Sequence, residues 1–177
     1  MALQIGHRIS VDLDFFTSQI FDEKTLAGEL SQLPEYKEEG TAWRTVWGKV
    51  ANTKFSLFYY KYPLIQKTVP FAGIQIISKE DIAAMKIHAL EDRGTKRDFI
   101  DLYFLAKEFT LEQMLKFYGQ KYGNLEDHLY IIVRSMNYFA DAEMDDMPEM
   151  LLPVSWEDVQ KFFQNQAIKL AKSKLKI

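Results

Sequence analysis

Asp12 and Asp14 stand two residues apart in Arg8-Ile9-Ser10-Val11-Asp12-Leu13-Asp14-Phe15-Phe16. Alternate residues of a β-strand share a face, so a strand here carries both carboxylates on one side. Val11, Leu13 and Phe15 take the other side, the one expected to pack on a core. Two acids held together are costly unless something positive binds them. A divalent cation carrying a nucleotide phosphate is the natural counter-charge. The pattern points to phosphoryl or nucleotidyl transfer, with Asp12 and Asp14 as metal-binding and catalytic candidates.

A second constellation lies on two successive helices. On a helical wheel of residues 79–93, Ile82, Ala83, Met85, Ala89 and Leu90 form an apolar arc. Lys86 and Arg93 fall near the middle of that arc, seven residues apart. Glu80, Asp81, His88, Glu91 and Asp92 fall on the opposite side. Cations inside an apolar arc need partners, because an unpaired buried charge is expensive. The next helix offers them. Leu102, Leu105, Ala106 and Phe109 mark its inner side, with Asp98 at the centre one turn earlier and Asp101 at the edge. Asp98 and Asp101 could meet Lys86 and Arg93 where the helices cross, as a structural ion cluster. The same cations could instead reach a triphosphate, where positioning and charge neutralisation are most of the chemistry. Asp98 could equally complete a capping box with Thr95.

The elements that must position these groups follow from the pattern. Residues 1–7 read as a helix tail ended by Gly6, and residues 9–16 as the acidic strand. Asp22 can cap a helix running to about Leu33, before Pro34. The runs 42–51 and 54–62, rich in aromatic and β-branched residues, predict two strands joined by a turn at Ala51-Asn52-Thr53. Residues 73–77 predict a short further strand. Beyond Ser78 the pairs Ser78/Asp81, Thr95/Asp98, Thr110/Gln113 and Ser155/Asp158 each mark a helix start. The predicted helices are 79–92, 96–108, 111–119, 125–141 and 156–173. Strands first and helices later give an α+β class, with a core over 1–109 and a helical region over 110–177 packed on it.

Composition narrows the function. The 177 residues carry a net charge of −3, so no global nucleic-acid footprint exists. There is no cysteine, which excludes disulfides, thiolate catalysis and Cys-containing zinc sites. His7, His88 and His128 lack metal-ligand spacing and read as ordinary polar residues. The acidic run 141–149 reads as a solvated loop, and Lys169, Lys172, Lys174 and Lys176 as a soluble helix end. The apolar run before Gly6 is too short for a signal peptide, and no stretch approaches the length of a membrane span, so a cytoplasmic location is expected.

Taken together, these segments resemble the nucleotidyltransferase family of the AbiEii toxins, the toxin halves of type IV toxin–antitoxin and phage abortive-infection systems. The resemblance rests on Ala2 to Phe16, on Asp81-Ile82-Ala83-Ala84-Met85-Lys86, and on Arg93-Gly94-Thr95-Lys96-Arg97-Asp98-Phe99-Ile100-Asp101-Leu102. It implies a polymerase-β-like nucleotidyltransferase core: a short mixed sheet with flanking helices, followed by a helical C-terminal part. It implies Asp12 and Asp14 as metal ligands for Mg²⁺, and Lys86 and Asp98 as further catalytic residues. Arg8, Ser10, Lys86, Arg93 and Asp101 become nucleotide-binding candidates. The implied reaction transfers a nucleotide from an NTP to an RNA (tRNA) or protein acceptor, and the implied partner is a cognate antitoxin. Two family features lack a match. The family's Gly-Gly or Gly-Ser pair would precede Met1, and the third acid of a later strand is missing from Phe55-Ser56-Leu57-Phe58-Tyr59-Tyr60. A degenerate member that binds a nucleotide or partner without chemistry is the alternative expectation.

Overall fold

A computed structural model describes residues 1–175; the lysine expected at the helix end as Lys176 lies outside them. In chain order the elements begin with α1 (Ala2–Ile5), β1 (Asp12–Thr17), α2 (Glu23–Leu30), β2 (Tyr36–Ala42), β3 (Thr45–Val50) and β4 (Thr53–Tyr59). There follow β5 (Val69–Phe71), β6 (Ile74–Ile76), α3 (Lys79–Asp92), α4 (Lys96–Leu105) and α5 (Leu111–Tyr122). The chain ends with α6 (Leu125–Ser135), α7 (Ala140–Glu143) and α8 (Trp156–Leu170), and a π-helical turn over Ala171–Leu175. The class is α+β, with a small mixed sheet and flanking helices. Two compact units form: Ser10–Pro63, and Met1–Ile9 together with the chain from Leu64 onward.

In the first unit the strand order is β1-β4-β3-β2. β1 runs parallel to β4, and the other pairs are antiparallel. Ala27, Tyr36 and Val46 form its small core, with Phe21, Leu26, Leu30, Val50 and Phe55 packed around them. Asp22 caps α2 by accepting a hydrogen bond from the Thr25 amide at 2.8 Å. The helix lies against β2 and β3, and β1 is an edge strand. The apolar side of β1 therefore differs from the expectation: Phe15 packs on Phe55, but Val11 and Leu13 are exposed. β2 was not expected as a strand, because Tyr-Lys-Glu-Glu-Gly-Thr-Ala has little β propensity. Its charges suit an edge, where they discourage pairing with other chains.

Gly48 fixes how closely β2 and β3 approach. A Cβ at this position would lie 2.3 Å from the backbone oxygen of Lys37, which cannot swing aside. Gly48→Ala should destabilise the sheet unit by about 1–3 kcal/mol, read as a lowered denaturant midpoint with unchanged slope.

The second unit holds the larger core. Ile87 and Leu90 of α3, Phe99, Ile100, Leu102 and Leu105 of α4, Met114 and Tyr118 of α5, Ile132 of α6, and Val159 and Phe163 of α8 are all buried in it. Each of α3, α4, α5 and α8 starts at a Ser or Thr whose hydroxyl accepts from an amide three residues on. The full reciprocal capping box forms only at Thr110/Gln113. At the other three starts the hydroxyl donates to the acid: Ser78 to Asp81 at 2.9 Å, Thr95 to Asp98 at 2.6 Å, Ser155 to Asp158 at 2.7 Å. The expected helix 125–141 is divided into α6 and α7, and the expected strand near 73–77 is β6 of the β5–β6 hairpin. β5 was hidden by Pro70, which reads against a strand. No described helix is long and apolar enough to cross a membrane.

Candidate functional site

In the second unit, Lys86 on α3 faces Asp98 and Asp101 on α4. Asp98 occupies the third helical position, fixed there because Thr95 caps the helix. Three residues later Asp101 projects beside it, as i, i+3 neighbours on one helix do. The Lys86 Nζ lies 2.8 Å from Asp98 Oδ1 and 2.7 Å from Asp101 Oδ2. Asp98 Oδ2 also accepts from Arg93 Nε at 3.2 Å and from the Thr95 hydroxyl at 2.6 Å. Asp101 Oδ1 accepts from Arg8 Nε at 2.8 Å and meets His7 Nε2 at 2.8 Å, while Arg8 Nη2 donates to Oδ2 at 3.0 Å. The Arg8 guanidinium thus grips Asp101 as a two-pronged fork.

Burial grades this network. Asp101 and His7 are fully buried and Asp98 and Arg8 nearly so, whereas Lys86 keeps 20% of its side chain exposed. Asp101 departs from the expectation of an edge position: it is the most enclosed acid of the network. Arg93 departs in the other direction. It is the C-cap residue of α3, beyond the last helical turn, and its side chain is 62% exposed. It does not point inward along the apolar arc, although its guanidinium reaches Asp98. Asp81, expected on the polar side of α3, is fully buried. It accepts from the backbone amides of Ile65 and Gln66 and pairs with the buried Lys121 at 2.7 Å. This second buried ion pair was missed because Asp81 reads as an ordinary first-turn acid and Lys121 as an ordinary last-turn base.

Other sequence readings also shift. His128 and Tyr118 both bind the Glu91 carboxylate, a contact that the spacing of His128 does not announce. The acidic run 141–149 is partly structural: Asp145 accepts from the Lys96 amide at 3.0 Å and so caps the start of α4.

The network has an electrostatic signature. Burial alone would raise the Asp101 carboxyl, but hydrogen bonds from His7 and Arg8 and the charge of Lys86 hold it far below the ordinary value. Burial likewise opposes ionisation of Asp98, and Lys86 and Thr95 overcome it, leaving Asp98 lowered. Asp81 is lowered against its burial by Lys121, the Ile65 amide and Ser78. Burial would lower Lys86, but Asp101 and Asp98 raise it. The three acids contribute stability that is complete above the unfolded carboxyl value of 3.8 and lost as pH falls through their lower folded values. Lys86 contributes stability complete below 10.5 and lost as pH rises through its higher folded value. Helical stability, read from denaturant midpoints by circular dichroism, should therefore be level between these limits and fall on both sides.

The first unit carries the acid pair. Asp12 and Asp14 share one face of β1, with Lys54 and Ser56 beside them on β4. Trp47 and Lys49 continue the same face on β3. Ser10 is exposed just ahead of the strand. Among the described residues no three His or acidic groups stand together as a metal cluster. A pair suffices for Mg²⁺, which is commonly held by one or two carboxylates plus substrate phosphates. The donor set therefore fits such an ion.

Comparison with known proteins bears on both units. Over 172 residues the chain is 34% identical to the uncharacterized protein aq_aa25 of Aquifex aeolicus strain VF5, covering 94% of this chain and 82% of that protein. A Helicobacter pylori crystal structure described as a candidate nucleotidyltransferase matches with a TM-score of 0.51 at 20% identity, over 96% of this chain and 81% of that one. The crystal structure of JHP933 from Helicobacter pylori matches with a TM-score of 0.50 at 21% identity, over 96% and 78%. These two establish a shared fold. The profile of the nucleotidyl transferase AbiEii toxin of the type IV toxin–antitoxin system matches residues 59–170. The matched stretch contains Lys86, Arg93, Asp98 and Asp101, and the acid strand precedes it. The chain belongs to the AbiEii nucleotidyltransferase toxin family.

Proposed function

We propose that the protein is a Mg²⁺-dependent nucleotidyltransferase that moves a nucleotide from an NTP to an RNA (tRNA) or protein acceptor, in the cytoplasm and under control of a cognate antitoxin. One observation carries the reading. Within the stretch matched by the family, Lys86 is held between two ionised, buried acids yet remains partly open to solvent. A lysine so placed keeps its charge and has one ammonium N–H unused by Asp98 and Asp101, suited to a phosphate oxygen. Asp12 and Asp14 would hold the metal, which when bound neutralises charge on the transferring phosphoryl group. Asp98 orients Lys86 and is a poor general base, because its carboxyl is lowered and already accepts from Lys86, Arg93 and Thr95. Arg93, mostly exposed, adds a second positive group for the nucleotide.

The test is transfer of label from each α-³²P NTP to total RNA and to total protein, with wild-type chain and with Asp12→Asn/Asp14→Asn. Mg²⁺-dependent labelling by wild type alone supports the reading; labelling that persists in the double variant overturns it. One observation favours a second reading, nucleotide binding without chemistry. The neighbours of the acid pair on β4 are Lys54 and Ser56, with no third acid. Under that reading calorimetry detects NTP binding while no acceptor is labelled.

A further inference from the structure

The segment His7–Ile9 is strapped onto its own unit by backbone hydrogen bonds. The Ile9 amide donates to the Glu149 carbonyl at 2.9 Å, the Leu151 amide donates to the His7 carbonyl at 2.8 Å, and Arg8 bridges to Met150. This strap delivers two neighbouring side chains to one carboxylate, Asp101. Asp101 is an ionised acceptor, so His7 Nε2 carries the proton and donates it. His7 Nδ1, buried, has no hydrogen-bond partner among the described residues, and the ring lies tilted against Phe104. An orphaned buried nitrogen costs free energy, and an apolar residue of similar size would avoid that cost. The arrangement is therefore a poor choice if its purpose is stability alone. Arg8 is nearly enclosed, and its fork is committed to Asp101.

We propose that His7 and Arg8 are positioning residues for Lys86. By holding Asp101 Oδ1, and through Arg8 Nη2 the same Oδ2 that Lys86 contacts, they fix the carboxylate oxygen that holds the Lys86 ammonium, and so set where its remaining N–H points. This rests on the reading of Lys86 as a phosphate-binding group. It removes Arg8 from the direct nucleotide ligands and gives it an indirect role. Without the fork the Asp101 side chain gains rotamers, and the ammonium follows it. A misplacement of about 1 Å in a catalytic group costs on the order of 10²-fold in rate.

Two readouts test the clamp in the full-length chain. The first is steady-state kinetics of Arg8→Met, Arg8→Lys and His7→Gln. A positioning role lowers kcat by about 10²-fold in Arg8→Met with little change in KM for the NTP, and Arg8→Lys recovers part of the loss. A raised KM at unchanged kcat would mean a direct nucleotide contact and overturn the proposal. The second is the ¹⁵Nζ–¹H resonance of the Lys86 ammonium, assigned by its loss in Lys86→Arg. The clamp predicts a sharp signal in the wild type, broadened in Arg8→Met and retained in His7→Gln, which keeps a donor. An unchanged Lys86 signal in Arg8→Met overturns the proposal. If Arg8→Met does not fold, Arg8→Lys must show the same split and broadening at smaller size, and failure to do so overturns it. If the wild type transfers no label, the enzyme reading fails by itself, and the ammonium resonance still decides the clamp.

Discussion

Asp101→Ala should be among the most destabilising single substitutions in the chain. The change leaves His7, Arg8 and Lys86 around a vacated carboxylate site, and Lys86 retains a second acid, Asp98. Breaking a buried ion pair from one side costs about 3–5 kcal/mol, because the surviving charges lose a partner without regaining the water they gave up on folding. For a chain of this size that corresponds to a fall in Tm of roughly 6–20 °C. Asp101→Asn should cost less, since the amide oxygen still accepts one of the donors although the charge is gone. Asp92→Ala, at an exposed position on α3, is the control and should stay within about 0.5 kcal/mol. The far-UV signal at 222 nm is the right probe. Among the described residues six α-helices have eight or more residues, and five of them, α3, α4, α5, α6 and α8, lie in the unit that contains Asp101. Equal midpoints for Asp101→Ala and Asp92→Ala would mean that the network adds nothing to stability.

The helices were legible because their starts are local. Ser78, Thr95, Thr110 and Ser155 each cap through an amide three residues away, and α3 begins and ends where its pattern indicates. The meeting of Lys86 with Asp98 and Asp101 was also legible, since cations on an apolar arc demand acids on the neighbouring helix. What stayed hidden depends on distant chain. Arg8 and His7 reach Asp101 across more than ninety residues, and no periodicity near Arg8 indicates where its guanidinium goes. Asp81 is buried by a loop at Ile65–Gln66 and by Lys121, neither of which its own helix announces. Leu13 was assigned to a core from alternation alone, but alternation cannot tell an edge strand from a central one. The acid pair itself was legible for the opposite reason, because a shared strand face needs only a spacing of two.

Asp12→Asn and Asp14→Asn should each abolish nucleotide transfer while leaving the fold in place. Asparagine keeps the size and one carbonyl oxygen of aspartate but removes the charge that a hard divalent cation requires. If the ion supplies about 4 kcal/mol of transition-state stabilisation, losing it lowers the rate by about 10³-fold. Asp14 is exposed on β1, so its substitution should change stability by no more than about 0.5 kcal/mol. The result must be read together with Asp101→Asn. A general collapse lowers activity and the denaturant midpoint together, as Asp101→Asn should. Loss of a metal ligand lowers activity alone and shifts the Mg²⁺ concentration needed for half-maximal rate. Should Asp12→Asn and Asp14→Asn retain wild-type transfer at every Mg²⁺ concentration, the carboxylates of β1 are not the metal ligands. The sheet face with Lys54, Ser56 and Lys49 would then need another role.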